Sequence, residues 1–339
     1  MTRFASCLST LLLVLFLFTA QFASADEDSA SPDFGPGILN IRSQSIAQSF
    51  RLTLPLLVPG DIPRGWQVFS QATWTNVWAE DPTYLLDYEM LDTTLGVSYG
   101  ISDRFGVSVV MDSRRYFGGE MDGFIQGFHD LAGIGQNGRD NYSKGRSAIT
   151  LFDPATGNVA EERSPGDLNN TGVSLLLNYT MLHSHPLLPD VNIYGVARYA
   201  FETADVISHG DEVDTGAGLG FAKQVFSGIH AYGILGYTLY GSQEASEKEI
   251  IDLKSYQVTG LFALAWQATP RLSAVGQYLY SSSVVEKIGG LKESSHEVHL
   301  GLKYKVSPRT GLNVSLIENI VTMDNSPDFG LHVGWFMRL

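Results

Sequence analysis

The chain has 339 residues, with 22 Lys+Arg against 36 Asp+Glu for a formal net charge of −14, and 44% of its residues are hydrophobic. That acidic balance excludes a nucleic-acid binder, which needs a basic footprint, and a polybasic membrane-surface binder. One cysteine, Cys7, leaves no disulfide framework and no thiolate metal site or thiol nucleophile in a chain that loses its first residues.

The N-terminus has the layout of a secretory signal peptide. Arg3 gives a positive start, "LSTLLLVLFLF" (residues 8–18) a short apolar core, and "ASA" the small residues before a cut between Ala25 and Asp26. The apolar run is too short for a stable spanning helix, and no later run reaches the ~18 residues one needs. The expected partition is a signal peptide over 1–25, an N-terminal segment over 26–65, and an outer-membrane β-barrel over 66–339 with a long extracellular loop at 117–170.

From Trp66 onwards, stretches of about ten residues alternate between apolar and small or polar positions, the period of two that marks a strand with one apolar face. "WQVFSQATWTNVW", "YEMLDTTLGVSYG" and "FGVSVVMDSRRY" come first. After the long break at 117–170 follow "TGVSLLLNYTML", "VNIYGVARYAF", "DTGAGLGFAKQVF", "IHAYGILGYTLYG" and "SYQVTGLFALAWQA". "LSAVGQYLYSSS" is weaker, and "SSHEVHLGLKYKV", "TGLNVSLIENIV" and the terminal "FGLHVGWFMRL" complete a count of twelve, an even number as bacterial single-chain barrels require. Three turns share a Ser/Thr, Asp/Pro, Arg pattern ending in Arg104, Arg271 and Arg309, and the count places all three at the end that carries the C-terminus. The long segments 117–170, 242–254 and 286–293 fall at the opposite end, as extracellular loops do in outer-membrane barrels, where periplasmic turns are short.

A soluble sandwich or lipocalin-like barrel also alternates. Here the face opposite the apolar one is Gly, Ser, Thr, Asn and Gln rather than Lys and Glu, and Tyr and Trp crowd the strand ends as an interfacial girdle does. The expected fold is all-β: a closed antiparallel up-and-down transmembrane β-barrel of about twelve strands. The terminal strand closes it against the first, and its alternating Leu331, Val333, Trp335, Met337 and Leu339 form a C-terminal assembly signal with Leu where Phe is usual.

No stretch carries enzyme chemistry. "HEVH" puts His296 and His299 on opposite faces of a strand, so they cannot share one metal ion. "HGDEVD" (His209, Asp211, Glu212, Asp214) lacks the spacing of a calcium loop and reads as a solvated charge run. Twelve strands is also the size of an outer-membrane phospholipase barrel, but no Ser and His stand together on one strand before Asn-Gly. The long loop contains "GGEMDGFIQGFHDLAGIGQNGRDNYSKGR"; Phe124, Ile125, Phe128 and Leu131 share one face of a short helix, which packs the loop on its own strands or folds it into the mouth as a constriction formed by Phe124, Phe128, His129 and Asp130.

"GWQVFSQATWTNVW", "LDYEMLDTTLGVSYGISDRFGVSV" and "DGFIQGFHDLAGIGQNGR" resemble an uncharacterised proteobacterial family of outer-membrane β-barrels, a domain of unknown function (3187). The resemblance implies location in a Gram-negative outer membrane and the barrel fold, and carries no catalytic residues. It extends to residues 35–63, which stand as a plug strand, a periplasmic lead or an additional strand.

The inward face holds small residues such as Gly172, Ser174, Asn178, Gly216, Gly218, Gly220, Thr259, Ala263, Gly311, Asn313 and Ser315, which leave a void. Its charged candidates are Asp112, Arg114, Arg198, Glu297, Lys303 and Lys305. The functional expectation is a narrow or gated pore for small solutes. The alternative is a non-conducting structural or binding barrel acting through its loops, with a lipid-modifying enzyme behind both. Expected partners are outer-membrane lipid, the barrel-assembly machinery and an unidentified small solute; no cofactor is expected.

Overall fold

The structure is a computed structural model, and it describes residues 37–49, 64–119, 121–123, 127, 141, 145, 147–153, 155–202, 212–241, 252–319 and 325–339. In chain order the strands are β1 (Gly65–Asp81), β2 (Tyr84–Gly100), β3 (Phe105–Phe117), β4 (Ala148–Phe152), β5 (Val159–Arg163), β6 (Asn170–Leu182) and β7 (Asp190–Glu202). They continue as β8 (Glu212–Phe226), β9 (Ile229–Leu239), β10 (Tyr256–Gln267), β11 (Leu272–Ser281), β12 (Ser295–Lys305), β13 (Thr310–Asn319) and β14 (Phe329–Arg338).

Twelve of these strands form a ring of antiparallel neighbours, and pairing of β1 with both β2 and β14 closes it. At the seam Gln67 faces Arg338 and Asn76 faces Phe329, and the Leu339 amide donates to the Trp66 carbonyl at 3.0 Å. The remaining two, β4 and β5, are a hairpin inside the long 118–169 connection. β4 pairs with Tyr84–Asp87 at the end of β2. At 17 residues β1 and β2 outrun the 9–11 that a tilted strand needs to cross a bilayer, and their surplus is what the hairpin extends.

The faces follow from burial. Along β6, Val173, Leu175, Leu177, Tyr179 and Met181 are all exposed, and between them Gly172, Ser174 and Leu176 are buried. The same inversion, with apolar residues outside and polar residues inside, runs around the ring: Leu95 and Val97, Leu235 and Tyr237, Phe262 and Leu264, Leu300 and Leu302, Val314 and Leu316 all face outward. A continuous apolar belt of this kind is not viable in water and matches the lipid face of a transmembrane barrel. Outward Trp66, Tyr99, Tyr179, Trp266 and Tyr304 mark its short-turn edge, and Tyr199, Tyr237 and Tyr256 its long-loop edge. Trp66 and Tyr99 have ring centroids 4.7 Å apart, Tyr237 and Tyr256 5.6 Å.

Inside, several glycines are seats for aromatic rings on the neighbouring strand. Phe69 lies directly across from Gly96, Tyr194 from Gly218 and Phe336 from Gly311. A Cβ on any of the three glycines would overlap its ring. Void space inferred from small residues is therefore partly taken by large ones opposite.

Candidate functional site in the barrel lumen

Residues 37–49 lie inside the ring, touching inward side chains from opposite walls. The Gly37 amide donates to Tyr232 Oη on β9, at 2.9 Å. Gln277 on β11 brackets Leu39, accepting from its amide and donating to its carbonyl, both at 2.9 Å. Leu39 also sits where a Cβ on Gly301 of β12 would go. Further along, Glu297 accepts from Ser43 Oγ at 2.6 Å and from the Gln44 amide at 3.0 Å. In the loop before β14, Asn325 Oδ1 accepts from Ser45 Oγ and the Ala47 amide. The segment thus climbs from the short-turn half of the lumen to the long-loop end. There its 3-10 turn, Ile46–Ser49, enters an apolar cluster with Val77, Leu86, Ile149, Val284, Val285 and Leu291. Each of these is at most 2% exposed, so the cluster itself is closed to water.

Where Arg42 crosses the lumen, six charges alternate in sign. Arg114 meets Asp92 at 2.7 Å, and Asp92 meets Arg42 at 2.5 Å. Arg42 meets Asp112 at 3.1 Å, Asp112 meets Arg198 at 2.8 Å, and Arg198 reaches Asp214 at 3.7 Å. Side-chain exposure along this chain does not exceed 9%. Three guanidinium groups balance three carboxylates, which is the condition for burying charge without leaving any unpaired. Its two outer arginines are held further: Arg114 donates to the Ser43 and Gln48 carbonyls, and Arg198 to Asn170 Oδ1. Wall and segment are therefore stitched by the same ion pairs.

A second polar cluster surrounds Glu297. Gln277 Nε2 donates to His299 Nδ1 at 2.8 Å, which leaves that ring's proton on Nε2, facing Glu297 3.4 Å away. His332 on β14 is held between Thr73 and Asn313, each at 2.9 Å.

Of the residues singled out from sequence, Asp112, Arg114 and Arg198 come together in the ion-pair chain. Glu297 anchors the segment from the other wall. Lys303 and Lys305 face the lumen nearer the short turns, where Lys303 Nζ donates to the Ile38 carbonyl at 3.2 Å. Phe124, Phe128, His129 and Asp130 lie outside the described residues. The described start of their loop is on the outer wall: Met121 packs with Phe329 and Trp74, and its amide donates to Glu89. Leu331, Val333 and Leu339 are exposed on the outer face of β14, with Trp335 and Met337 on that face but more covered. His296 and His299 point to opposite faces, His296 meeting Tyr278 Oη outside the lumen. Asp214 corrects one reading: it is not part of a solvated charge run but an inward, buried partner of Arg198, because β8 begins before it at Glu212. Sequence reading passed over Asp92 and Arg42. Asp92 was accessible by alternation, standing between outward Leu91 and Thr93; Arg42 lies in a segment with no period to read.

A family model described as "Protein of unknown function (DUF3187)" matches residues 14–339. The chain belongs to that family. No curated protein matches the sequence. Among solved structures it is similar to the COG4313 outer membrane channel from Pseudomonas putida F1, at 6% identity and a TM-score of 0.47 over 82% of this chain and 97% of that one. It is also similar to the KdgM porin, at 8% identity and 0.42 over 80% and 99%, and to the translocator domain of the autotransporter NalP from Neisseria meningitidis, at 11% and 0.43 over 82% and 90%. Likeness this distant transfers no activity to the DUF3187 chain.

Proposed function

We propose that the protein is an outer-membrane channel for small solutes, held shut by its own residues 37–49. The observation that carries this reading is the nature of the filling. A barrel that serves only as a scaffold can be filled by its own wall side chains, as eight-stranded ones are. Here the middle of the lumen is taken by a separate piece of chain, joined to the wall through ion pairs and hydrogen bonds. Ile38, Leu39 and Ile41 also pack among apolar wall residues such as Ile234, Leu261 and Ile317, but the ion pairs and hydrogen bonds exchange with water when the segment leaves, so the polar part of this filling is suited to release. In this reading the signal segment exports the chain, the long loops face outward, the short turns face the periplasm, and β14 presents its alternating edge to the assembly machinery.

The apolar cluster at the long-loop mouth favours a second reading, a barrel that never conducts and works through its loops. Single-channel recording in planar bilayers separates the two, comparing the protein refolded from Asp26 with a variant lacking residues 26–49. The channel reading expects silence or rare openings from the first and steady conductance from the second. Silence from a deletion variant that still shows the heat-shifted gel band of a folded barrel would overturn it.

A further inference from the structure

The connection between β6 and β7 is the longest of the short turns, and its backbone is bonded from within. Lys223 on β8 donates to three of its carbonyls: His185 at 3.2 Å, Pro186 at 2.9 Å and Leu188 at 3.0 Å. His185 Nδ1 accepts from the Leu187 and Leu188 amides, and the Asp190 carboxylate from the Ser184 amide. Pro186 and Pro189 have no amide hydrogen to satisfy. A turn in water has no need of such provision, because solvent bonds its backbone. Beside lipid, those groups must find partners within the protein.

The side chains it presents are apolar. Leu187 and Phe226 are the two most exposed large apolar residues among those described, at 83% and 71%, and Met181, Leu188 and Val225 are exposed as well. Two bulges add to this surface. Met181 is the extra residue between Thr180 and Leu182 at the end of β6, and Val225 the extra residue between Gln224 and Phe226 at the end of β8. Plain alternation would aim Leu182 and Phe226 into the lumen. The bulges instead pair Leu182 with Val191, two residues before outward Ile193, and Phe226 with Ile229, which pairs with outward Trp266.

The level of the turn follows from the aromatic residues that mark the short-turn edge of the belt. Tyr179 on β6 lies in register, through Ile193, with Leu219 on β8. Trp266 on β10 lies in register, through Ile229, with Phe226. β8 stands midway between β6 and β10, so the edge crosses the tilted β8 about halfway between Leu219 and Phe226, where Lys223 is. Lys223 is on the outward face, paired with Ala231, so the turn it holds is drawn against the outside of the ring at the edge of the apolar belt.

We infer that residues 182–190, clamped by Lys223, are a foot that seats Leu187 and Leu188, together with Phe226, among the acyl chains of the leaflet at the short-turn end. The occupant is phospholipid: the patch adjoins the lipid-facing belt, and the turn brings its backbone groups already bonded. With three carbonyls taking its three N–H donors, Lys223 serves the turn rather than an acidic headgroup. The foot fixes the depth of this side of the ring, whether or not the lumen conducts.

The test uses single cysteines in protein refolded from Asp26, which has lost Cys7, in phosphatidylcholine nanodiscs that leave both membrane faces open to buffer. Leu187→Cys carries an environment-sensitive fluorophore, and Thr156→Cys, on the exposed turn between β4 and β5, is the aqueous reference. Lipid brominated along its acyl chains is expected to quench the label at 187 about twofold or more while iodide in the buffer spares it, with the reverse at 156. Lys223→Met, which leaves the three carbonyls without their donor, is expected to cut the bromine quenching at 187 roughly in half in a barrel that keeps its heat-shifted gel band. Iodide quenching at 187 equal to that at 156 would overturn the inference and leave the patch to a soluble partner. A label shielded from both quenchers, increasingly so with more protein per disc, would overturn it in favour of a second copy of this chain. Unchanged bromine quenching in Lys223→Met would overturn the clamp. Leu187→Cys alters only an exposed side chain, so the quenching comparison decides the matter even if Lys223→Met does not fold.

Discussion

Glu297 offers the sharpest handle on the plug. It accepts from Ser43 Oγ at 2.6 Å and from the Gln44 amide through both oxygens at 3.0 Å, with no exposure to solvent. Glu297→Gln keeps the shape and removes the charge, leaving one acceptor oxygen and placing an NH₂ donor against donors. Hydrogen bonds to a charged group contribute about 1.5–3 kcal/mol each. Losing one and weakening the other loosens the segment by about 2–4 kcal/mol, which raises the released population roughly 30- to 1,000-fold. The assay uses Ala47→Cys, a small change at a residue with no exposure, as the reporter. The natural cysteine, Cys7, precedes Asp26, so protein refolded from Asp26 carries that single thiol. When closing is faster than labelling, the rate of maleimide modification tracks the open population. Adding Glu297→Gln is expected to speed labelling at least 30-fold in a barrel that retains its heat-shifted band. An increase below threefold would refute the assignment of Glu297 as an anchor.

Gly96→Ala places a methyl group inside the Phe69 ring position, and overpacking of this kind is expected to lower barrel stability by about 1–3 kcal/mol, read from urea unfolding followed by tryptophan fluorescence. Arg198→Met removes the guanidinium that Asp112 and Asp214 share, leaving Asp112 to Arg42 alone and Asp214 with no cation in the ion-pair chain, and is expected to cost about 3–5 kcal/mol in the same assay. Adding Asp112→Asn should recover part of that loss, and full additivity of the two would argue that the pair is not coupled. At the rim, the hydrogen bond from Arg64 holds the Asp103 carboxyl below the usual carboxylate range. A depressed carboxylate contributes above its unfolded value, near pH 3.9, and loses its contribution as pH falls through the lower folded one. Carbon-13 NMR of the carboxyl should show the Asp103 midpoint moving up in Arg64→Gln.

What could be read from sequence follows from what surrounds each residue. A strand with lipid on one side and a small polar lumen on the other prints its geometry as a period of two, so the twelve barrel strands and their shared short-turn end were legible. The weakest pattern was β11, and its structure gives the reason: Gly276 is an outward position, and a methyl of Leu300 on β12 lies against it. A neighbour supplies the apolar surface that β11 itself lacks. β4 and β5 were not legible, because "AITLF" and "VAEER" pair beyond the membrane and present no lipid face. The seating of Phe69, Tyr194 and Phe336 on glycines needs the register between strands, which no single strand encodes. Residues 37–49 carry no period at all, since a segment enclosed on every side has no exposed face to contrast with a buried one. Six charges in one chain were half legible. Arg114, Arg198 and Asp112 are strand positions of known face, but the residue that links the two walls, Arg42, sits outside any strand.

The seam between β1 and β14 has a consequence for how the molecule comes into being. Its ten register pairs join the strands farthest apart in sequence, so none of them can form while the chain is still emerging in order. Every other strand pair in the ring is nearer along the chain and has no such wait. Until the two ends meet, β1 and β14 are open edges and the six buried charges have no enclosed lumen. Ring closure and enclosure of residues 37–49 are thus two aspects of one late event, and a chain caught before it exposes both its stickiest edges and its most costly charges.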